Sequence, residues 1–413
     1  MAEVTTTTLN SWFIEYVQPE TRKMFQEKAV LLDLLMDGRS QKNNPRAGGA
    51  RITAYVAPDA SNASLDEGAY LPLPGAPTDV EMRVPIRRKW KTGAVTGDVL
   101  DLQDSNTIGN LLSGTTKRMA QSFKKEINQQ CYQDGSGAKG IVSAITTGAA
   151  GTATMNGDAR GARQFLVGAR MNFYTTAGVA HVTGASVSTV TAVNVATGVV
   201  TFDSVPTDAV VGDIVTYEGS YGRDIHGLAY HVDDATGTYQ GLTNGRTTYP
   251  SLRATVTDAS SGALSTSLID VLLTKMEITS SSEVGGQMYM ISHPAQQQAY
   301  RSLGYSLTRN VNASGNNKLD LGFPNVAHNG IPWKTDVDCP RDRIYFITPG
   351  GLQRFVVREP GLLNRGGQTL FMKPGTGIHA DSVLFYFSFK GDIGSPQPNS
   401  LALIKALAIP SGL

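Results

Sequence analysis

The stretch from Gly49 to Gly140 constrains this chain most. It reads as two long strands held apart by a proline-studded turn, then one long amphipathic helix that stops at Cys131-Tyr132-Gln133-Asp134-Gly135-Ser136-Gly137. From Ala50 to Ala57 the residues alternate, with Ile52, Ala54 and Val56 on one face and Arg51, Thr53 and Tyr55 on the other, the period of a strand. Over 80–95, Met82, Val84 and Ile86 alternate with Glu81, Arg83, Pro85 and Arg87, and Pro85 puts this second strand at an edge or a bulge. The helix opens near Asp104-Ser105, either of which can accept the orphan amide hydrogens of a first turn. Ile108, Leu112, Thr115, Met119, Phe123, Ile127 and Cys131 recur at spacings of three and four and so share one face. About 29 residues rising roughly 1.5 Å each make a rod of about 43 Å, and Gly135 suits a left-handed stop. A hairpin and a rod of this length leave apolar faces that identical neighbouring chains can cover. The chain therefore reads as one that assembles.

Composition agrees. A length of 413 residues allows two or three cores. Charged residues make up 17%, against about 25% in ordinary soluble domains, which suits a surface largely covered by partners. Lys and Arg total 36 and Asp and Glu 35, so no global field draws the chain to nucleic acid or acidic lipid, and any contact with DNA is expected to be weak and nonspecific. The 44 glycines and 19 prolines favour turns and strands over helical bundles, an α+β chain with much irregular loop. Two cysteines, Cys131 and Cys339, are too few for a disulfide framework or a zinc site. Met1–Asn10 lacks the basic and apolar regions of a signal peptide, and no run of about 18 uncharged apolar residues occurs. The expectation is synthesis in a cytoplasm and no membrane.

Along the rest of the chain, Trp12, Phe13 and Tyr16 lead into Pro19-Glu20-Thr21, a helix start. Leu31, Leu32, Leu34, Leu35 and Met36 form an apolar run too dense for water, an arm that docks on something. Between Phe165 and Gly222 short β-runs recur at hairpin spacing: His181–Thr183, Ser186–Asn194, Val199–Phe202 and Asp213–Tyr217. They predict a small antiparallel barrel inserted into the main domain. Leu264, Leu268, Val271, Leu272 and Met276 then mark a second amphipathic helix, Gln287–Ser292 a buried strand, and His293-Pro294 a short helix to about Leu303. An exposed loop over Asn310–Asn317 and strands over 331–337, 343–348, 383–390 and 400–407 complete the pattern.

Chemistry-bearing motifs are few. Gly135-Ser136-Gly137-Ala138-Lys139-Gly140 has the spacing of a dinucleotide fingerprint, but here the helix precedes it, so no helix N-terminus faces a phosphate. It reads as a helix-ending turn, and no cofactor is expected. The six histidines, of which His226 and His231 are the nearest pair, never fall at metal-ligand spacing. No nucleophile elbow, P-loop or zincin motif appears, and Asp233-Asp234 and Asp336 with Asp338 read as loop or turn chemistry. No catalytic residue is assigned and the chain is not expected to be an enzyme. The most basic run is Arg83, Arg87, Arg88, Lys89 and Lys91, with Trp90 inside it. It could touch phosphates, but charges on a strand alternate faces, which favours ion pairs with acids on the next molecule. With Trp12 and Phe13 of the arm, these are the candidate inter-subunit contacts.

The order arm, strand–loop–strand hairpin, long helix, β-rich middle, then helix–strand–helix resembles the major capsid protein of tailed bacteriophages, with the Hong Kong 97 type fold. Tyr132–Gly137 is similar to the Asp-Gly-[Ser/Thr]-Gly that closes the family's spine helix. Asn329-Gly330-Ile331-Pro332 to Arg343-Ile344-Tyr345-Phe346 looks like its late axial-domain strands. The resemblance implies an N-terminal arm over 1–45, an extended loop over 46–100, a peripheral domain over 101–164 holding the spine helix, and the inserted barrel over 165–222. It further implies a peripheral return over 223–263, an axial domain over 264–350 and C-terminal strands over 351–413. Members build pentamers and hexamers of an icosahedral shell around double-stranded DNA, so the implied place is a virion capsid made in a bacterial host's cytoplasm. The implied partners are copies of the chain, a portal and a separate scaffolding protein, since the sequence starts almost at the arm. No lysine occurs between Pro58 and Thr78, which argues against cross-linking through a loop lysine. An encapsulin-like compartment shell, or a tail-tube or decoration protein, is the alternative.

Overall fold

The computed structural model describes residues 30–36, 42–43, 49–57, 64, 70, 78–96, 105–156, 161–280, 288–307, 326–348, 350–372 and 382–410, with side chains in the long helix from 114 onward. Trp12, Phe13, the helix start at Pro19 and the loop over 310–317 lie outside these residues.

The long helix runs Ser105–Cys131, close to the expected bounds. Its second half buries Ala120, Phe123, Ile127 and Cys131 at 2% exposure or less, while Arg118, Gln121 and Lys125 are exposed. Thr116 is buried while Thr115, placed on the apolar face by spacing, is exposed. One side of the helix meets a five-stranded sheet built from Lys42–Asn43, Gln353–Leu362, Ser382–Gly394, Leu370–Met372 and Arg87–Thr96. Along Ser382–Gly394 the period of two puts Phe385, Phe387 and Phe389 on one face, all buried. The Phe387 ring lies 6.0 Å from that of Phe123. Gly93 pairs with Phe385, and a Cβ at Gly93 would run into the Phe385 ring and the Met119 sulfur. The glycine lets that ring lie across its neighbouring strand. The apolar arm segment is the helix Val30–Met36. It buries Leu31, Leu32 and Leu35 in the same core, so it docks on its own chain.

Two expectations about the hairpin are corrected. The strand expected over 80–95 is two strands, Thr78–Val84 in the hairpin and Arg87–Thr96 in the main sheet. The break falls at Pro85-Ile86, where proline has no amide hydrogen for a ladder. The hairpin face was expected to await neighbours, but Ala50–Ala57 and Thr78–Val84 pair with Ile52 opposite Met82 and bury Ala50, Ile52, Ala54, Met82 and Val84 against Tyr239, Leu252 and Phe355 of the same chain. Each large side chain so covered contributes about 1.5–3 kcal/mol. The root therefore folds with the body. Beyond it, Tyr70 is 98% exposed.

The barrel is closed, with six strands in the order Val199–Phe202, Thr152–Met155, Ala138–Thr146, Ile214–Tyr217, Arg170–Tyr174 and Ser188–Asn194. It starts at Ala138, directly after the helix-ending turn, rather than near 165. Closure removes strand edges only if every strand has two partners, and Ala138–Thr146 is the strand that joins the two halves. His181–Thr183 is not a strand; His181 is buried between Asp208 at 3.0 Å and Asp213 at 2.9 Å. Burial opposes charge on this imidazole, but the two carboxylates outweigh it and raise its pKa from the usual 6.5. A raised histidine pKa stabilises fully below the unfolded value, and that contribution is lost as pH rises through the folded value. Calorimetric melting from about pH 5 to about pH 9 should show a fall of stability beginning above about 6.5, and His181→Gln should flatten that part of the profile.

A six-stranded sheet completes the body, in the order Thr255–Asp258, Ala402–Lys405, Ile344–Ile347, Tyr289–Ser292, Ile331–Thr335 and Ala327–His328. Its first strand precedes 264 and its second comes from the C-terminal segment, so the expected 264–350 unit is completed from both sides. The helix Thr266–Ser280 packs on it through Ile269, Leu272, Leu273 and Met276. Val271, assigned to the apolar face by spacing, is 46% exposed. Among the described residues no helix is long and apolar enough to cross a membrane.

Candidate assembly surface at the base of the hairpin

Three elements meet where the hairpin enters the body: the strand Arg87–Thr96, the last turns of the long helix and the barrel. The alternation of the strand sends Lys89 and Lys91 to the face of Phe389 and Phe387, toward the helix. There one carboxylate serves both. Glu126 accepts from the Lys91 Nζ at 2.7 Å and lies 3.8 Å from the Lys89 Nζ, while Lys91 also donates to the Ser122 Oγ at 2.6 Å. The Lys89 ammonium sits over the Tyr217 ring, 5.1 Å from its centroid.

Behind them lies a buried pair that sequence reasoning missed. Lys139 is 0% exposed and Asp224 3%, with Nζ and Oδ2 3.7 Å apart. Lys139 also donates to the Gln133 Oε1 at 3.2 Å and lies over the same Tyr217 ring at 5.3 Å. Burial pulls the Lys139 ammonium down to about 8 despite the nearby Asp224 carboxylate. The residue stands inside Gly-Ala-Lys-Gly, where nothing in the local pattern signals burial.

The Asp-Gly-Ser-Gly turn explains its glycines. Gly135 and Gly137 both take φ of +81°, a region open to glycine at little cost. A Cβ on Gly135 would strike the His226 ring, and one on Gly137 the Ser220 carbonyl. The Ser136 amide and hydroxyl donate to the Asp134 Oδ1, the amide at 3.1 Å and the hydroxyl at 2.5 Å. The turn is thus pressed against 220–226, a packed helix stop rather than an open cradle for a phosphate.

His226 links this turn to the sheet. Arg87 donates to the Gly222 carbonyl at 2.6 Å and to the His226 Nε2 at 3.2 Å. A guanidinium only donates, so Nε2 accepts and the ring proton sits on Nδ1, 2.7 Å from the Asp392 Oδ2. Asp392 also accepts from the amides of His226 at 2.8 Å and Ile393 at 2.9 Å. Burial raises its carboxyl, against the pull of His226. His231, the other member of the nearest histidine pair, is buried and hydrogen-bonds to the Tyr239 hydroxyl at 2.8 Å; burial pushes its pKa down to about 3. Asp336 and Asp338 are drawn together at the C-terminal end of the helix, where Asp336 accepts from the Tyr132 hydroxyl at 2.9 Å and Asn128 Nδ2 reaches both carboxylates, at 3.0 and 2.8 Å. They tie the helix to the six-stranded sheet. Among the described residues no group of three or more His, Cys, Asp or Glu is placed to hold a metal ion.

Of the basic run, then, Arg87, Lys89 and Lys91 contact their own chain, and Arg83 lies 3.8 Å from Glu81, which also faces Arg51 at 3.3 Å. Arg88 is exposed and has no acidic partner among the described residues, and Trp90 beside it is 47% exposed. These two point away from the helix, as the alternation requires.

Comparison with known proteins rests on shape. No family model and no curated protein sequence matches the chain. A chain of the Cyanophage A-1(L) capsid asymmetric unit superposes with a TM-score of 0.56 at 16% identity, covering 92% of this chain and 93% of that one. The capsid of a native GTA particle matches with a TM-score of 0.45 at 11% identity over 91% and 90% of the two chains. A holo-SrpI encapsulin from Synechococcus elongatus gives 0.41 at 11% identity over 92% and 88%. With more than nine-tenths of both chains superposing on that capsid chain, the chain has the fold of a phage major capsid protein.

Proposed function

We propose that the chain is the structural subunit of a capsid shell, closing through copies of itself into pentamers and hexamers of an icosahedral particle that encloses the double-stranded DNA of a tailed phage. The observation that carries this reading is the superposition of the whole chain, rather than one domain, on a capsid subunit. The balance of 36 basic against 35 acidic side chains fits a shell that holds a polyanion without gripping it. Its mechanism is geometric: the body tiles, and the hairpin tip, which its own chain leaves uncovered at Tyr70, is covered by a neighbour. Portal and scaffolding proteins are the partners such a shell uses to start and to shape itself.

Purified protein imaged in negative stain should show closed particles, and particles recovered from the native host should yield nuclease-protected double-stranded DNA. Tubes or lone monomers would defeat the shell reading. Particles filled with a stoichiometric protein cargo would instead make the chain a compartment shell.

A further inference from the structure

The hairpin joins the main sheet at Pro85-Ile86, between the strands Thr78–Val84 and Arg87–Thr96. Proline there has no amide hydrogen to hold a ladder, so the chain can bend. Arg87 is the first residue past the break. Its guanidinium donates to the Gly222 carbonyl, on the chain leaving the barrel, at 2.6 Å and to the His226 Nε2 at 3.2 Å. The Arg87 Nε is buried with no hydrogen-bond partner among the described residues, so those two bonds fix the group.

His226 reaches the hairpin by a second route. Its ring lies 4.4 Å from that of Tyr230, which stacks on Tyr239 at 5.4 Å with the planes 20° apart. Tyr239 is wholly buried, in one core with Ile52, Met82 and Val84 of the hairpin. The Tyr230 hydroxyl accepts from the Gln240 amide at 2.9 Å, and the Gln240 carbonyl accepts from the Arg83 amide at 2.7 Å. The imidazole thus stands between the foot of the hairpin and the floor on which it rests.

The Arg87 bond depends on the proton count of this ring. Nε2 accepts only while it carries no proton; once it does, two donors and two positive charges face each other across 3.2 Å. The surrounding groups decide which partner yields. Asp392 is buried, is anchored by the amides of His226 and Ile393, keeps the Nδ1 proton at 2.7 Å and favours the imidazolium. Arg87 opposes it. Tyr230 and His231 come from the helix Leu228–His231; burial takes His231 down to about 3 and holds it neutral, and Arg246 lies beyond them, 4.3 Å over the Tyr239 ring. The Asp-Gly-Ser-Gly turn meets the ring at Gly135, and its carboxylate, Asp134, is bonded back to Ser136. Arg87 is only half-buried, so the arginine is the group displaced.

We propose that His226 is a proton-operated latch on the hairpin. Neutral, it holds Arg87 and keeps hairpin, barrel exit and main sheet in one body. Protonated, it releases Arg87 and lets the hairpin root open about Pro85-Ile86. An ordinary imidazole changes charge between about pH 8 and about pH 5, which sets the working range. The latch is a property of the single subunit, whether or not that subunit closes a shell.

Hydrogen exchange of the unassembled subunit, followed by mass spectrometry at about pH 8 and about pH 5 and corrected for the intrinsic rate at each, reads the latch directly. Amides of 50–57 and 78–84 should lose protection about tenfold or more at the acid pH, the scale of one lost hydrogen bond to a charged group. Those of the strands Tyr289–Ser292 and Ile344–Ile347 should keep theirs. His226→Gln, whose amide can donate to Asp392 and accept from Arg87 without titrating, should hold the hairpin protected at both pH values, and Arg87→Met should leave it open at both. Equal protection of the wild-type hairpin at the two pH values would overturn the proposal, as would a His226→Gln subunit that keeps the full acid response. Should the variants not fold, nitrogen NMR of the wild-type imidazoles decides. The His226 ring must carry its proton on Nδ1 alone at the alkaline end, and the hairpin must open where Nε2 gains one; a hairpin that opens while Nε2 stays bare would refute the latch.

Discussion

Deleting Asn62–Pro74 will leave a folded subunit that no longer builds shells. The fold survives because the hairpin is anchored below the deletion: Ala50, Ile52, Ala54, Met82 and Val84 are buried on Tyr239, Leu252 and Phe355 of the same chain. Shortening the connection between the paired strands changes loop-closure free energy by under about 1 kcal/mol, and favourably. Within the deleted segment Ser64 is exposed and Tyr70 is 98% exposed. Assembly loses its reaching element entirely. Circular dichroism and thermal melting should match the wild type within a few degrees, on the order of the effect of a surface change, while negative-stain images show free subunits or capsomers in place of particles. Particles of normal size and number from the deletion would remove the hairpin from the account of assembly.

The largest change in subunit stability is expected at Asp224→Ala. Lys139 is wholly buried and its ammonium keeps Asp224 as its charged partner at 3.7 Å. Breaking a buried pair from one side strands the other charge, at a cost of about 3–5 kcal/mol. Burial already lowers the Lys139 pKa to about 8 from 10.5, so the folded state binds fewer protons than the unfolded chain between those values. Stability from this group therefore rises with pH across that window. Without the carboxylate the pKa falls further, and the defect should be greatest at neutral pH and shrink as the solution becomes alkaline. Urea denaturation of the unassembled subunit measures both. Lys139→Met in the Asp224→Ala background, which removes the stranded charge, should recover much of the loss. An Asp224→Ala variant as stable as the wild type at neutral pH would show that the pair contributes nothing.

Much of this molecule was legible before any coordinates. The helix bounds, the glycine stop, most strands of the six-stranded sheet and three of the six barrel strands follow from local patterns of period two or near four, and from turn residues. The hairpin was misread at one point, Pro85, where a single alternating run turned out to be two strands serving different sheets. The barrel lost its first strands for a related reason: Ala138–Thr146 is mostly small residues after a glycine turn, and its membership depends on Ile214–Tyr217 pairing with it 70 or more residues later. Val271 and Thr115 show the limit of spacing arguments, since a helix face is buried only where something is packed on it. At the candidate surface, the basic run was visible but its partners were not. Glu126, Tyr217, Asp224 and Lys139 are ordinary residues in four separate segments, with nothing local to join them.

By itself, the sequence determined the elements of this protein and their order, because helix, strand and turn preferences are settled by neighbours a few positions away along the chain. It also set the near-neutral balance of charge and the acidic, lysine-free character of the hairpin tip. Only the tertiary structure decided which faces are already covered from within: that the hairpin root and the arm segment 30–36 rest on their own body, that Lys89 and Lys91 share Glu126, and that Arg88 and Trp90 are left outward. Burial and ion pairing are relations between residues up to hundreds of positions apart, so they exist only once the sheets have closed.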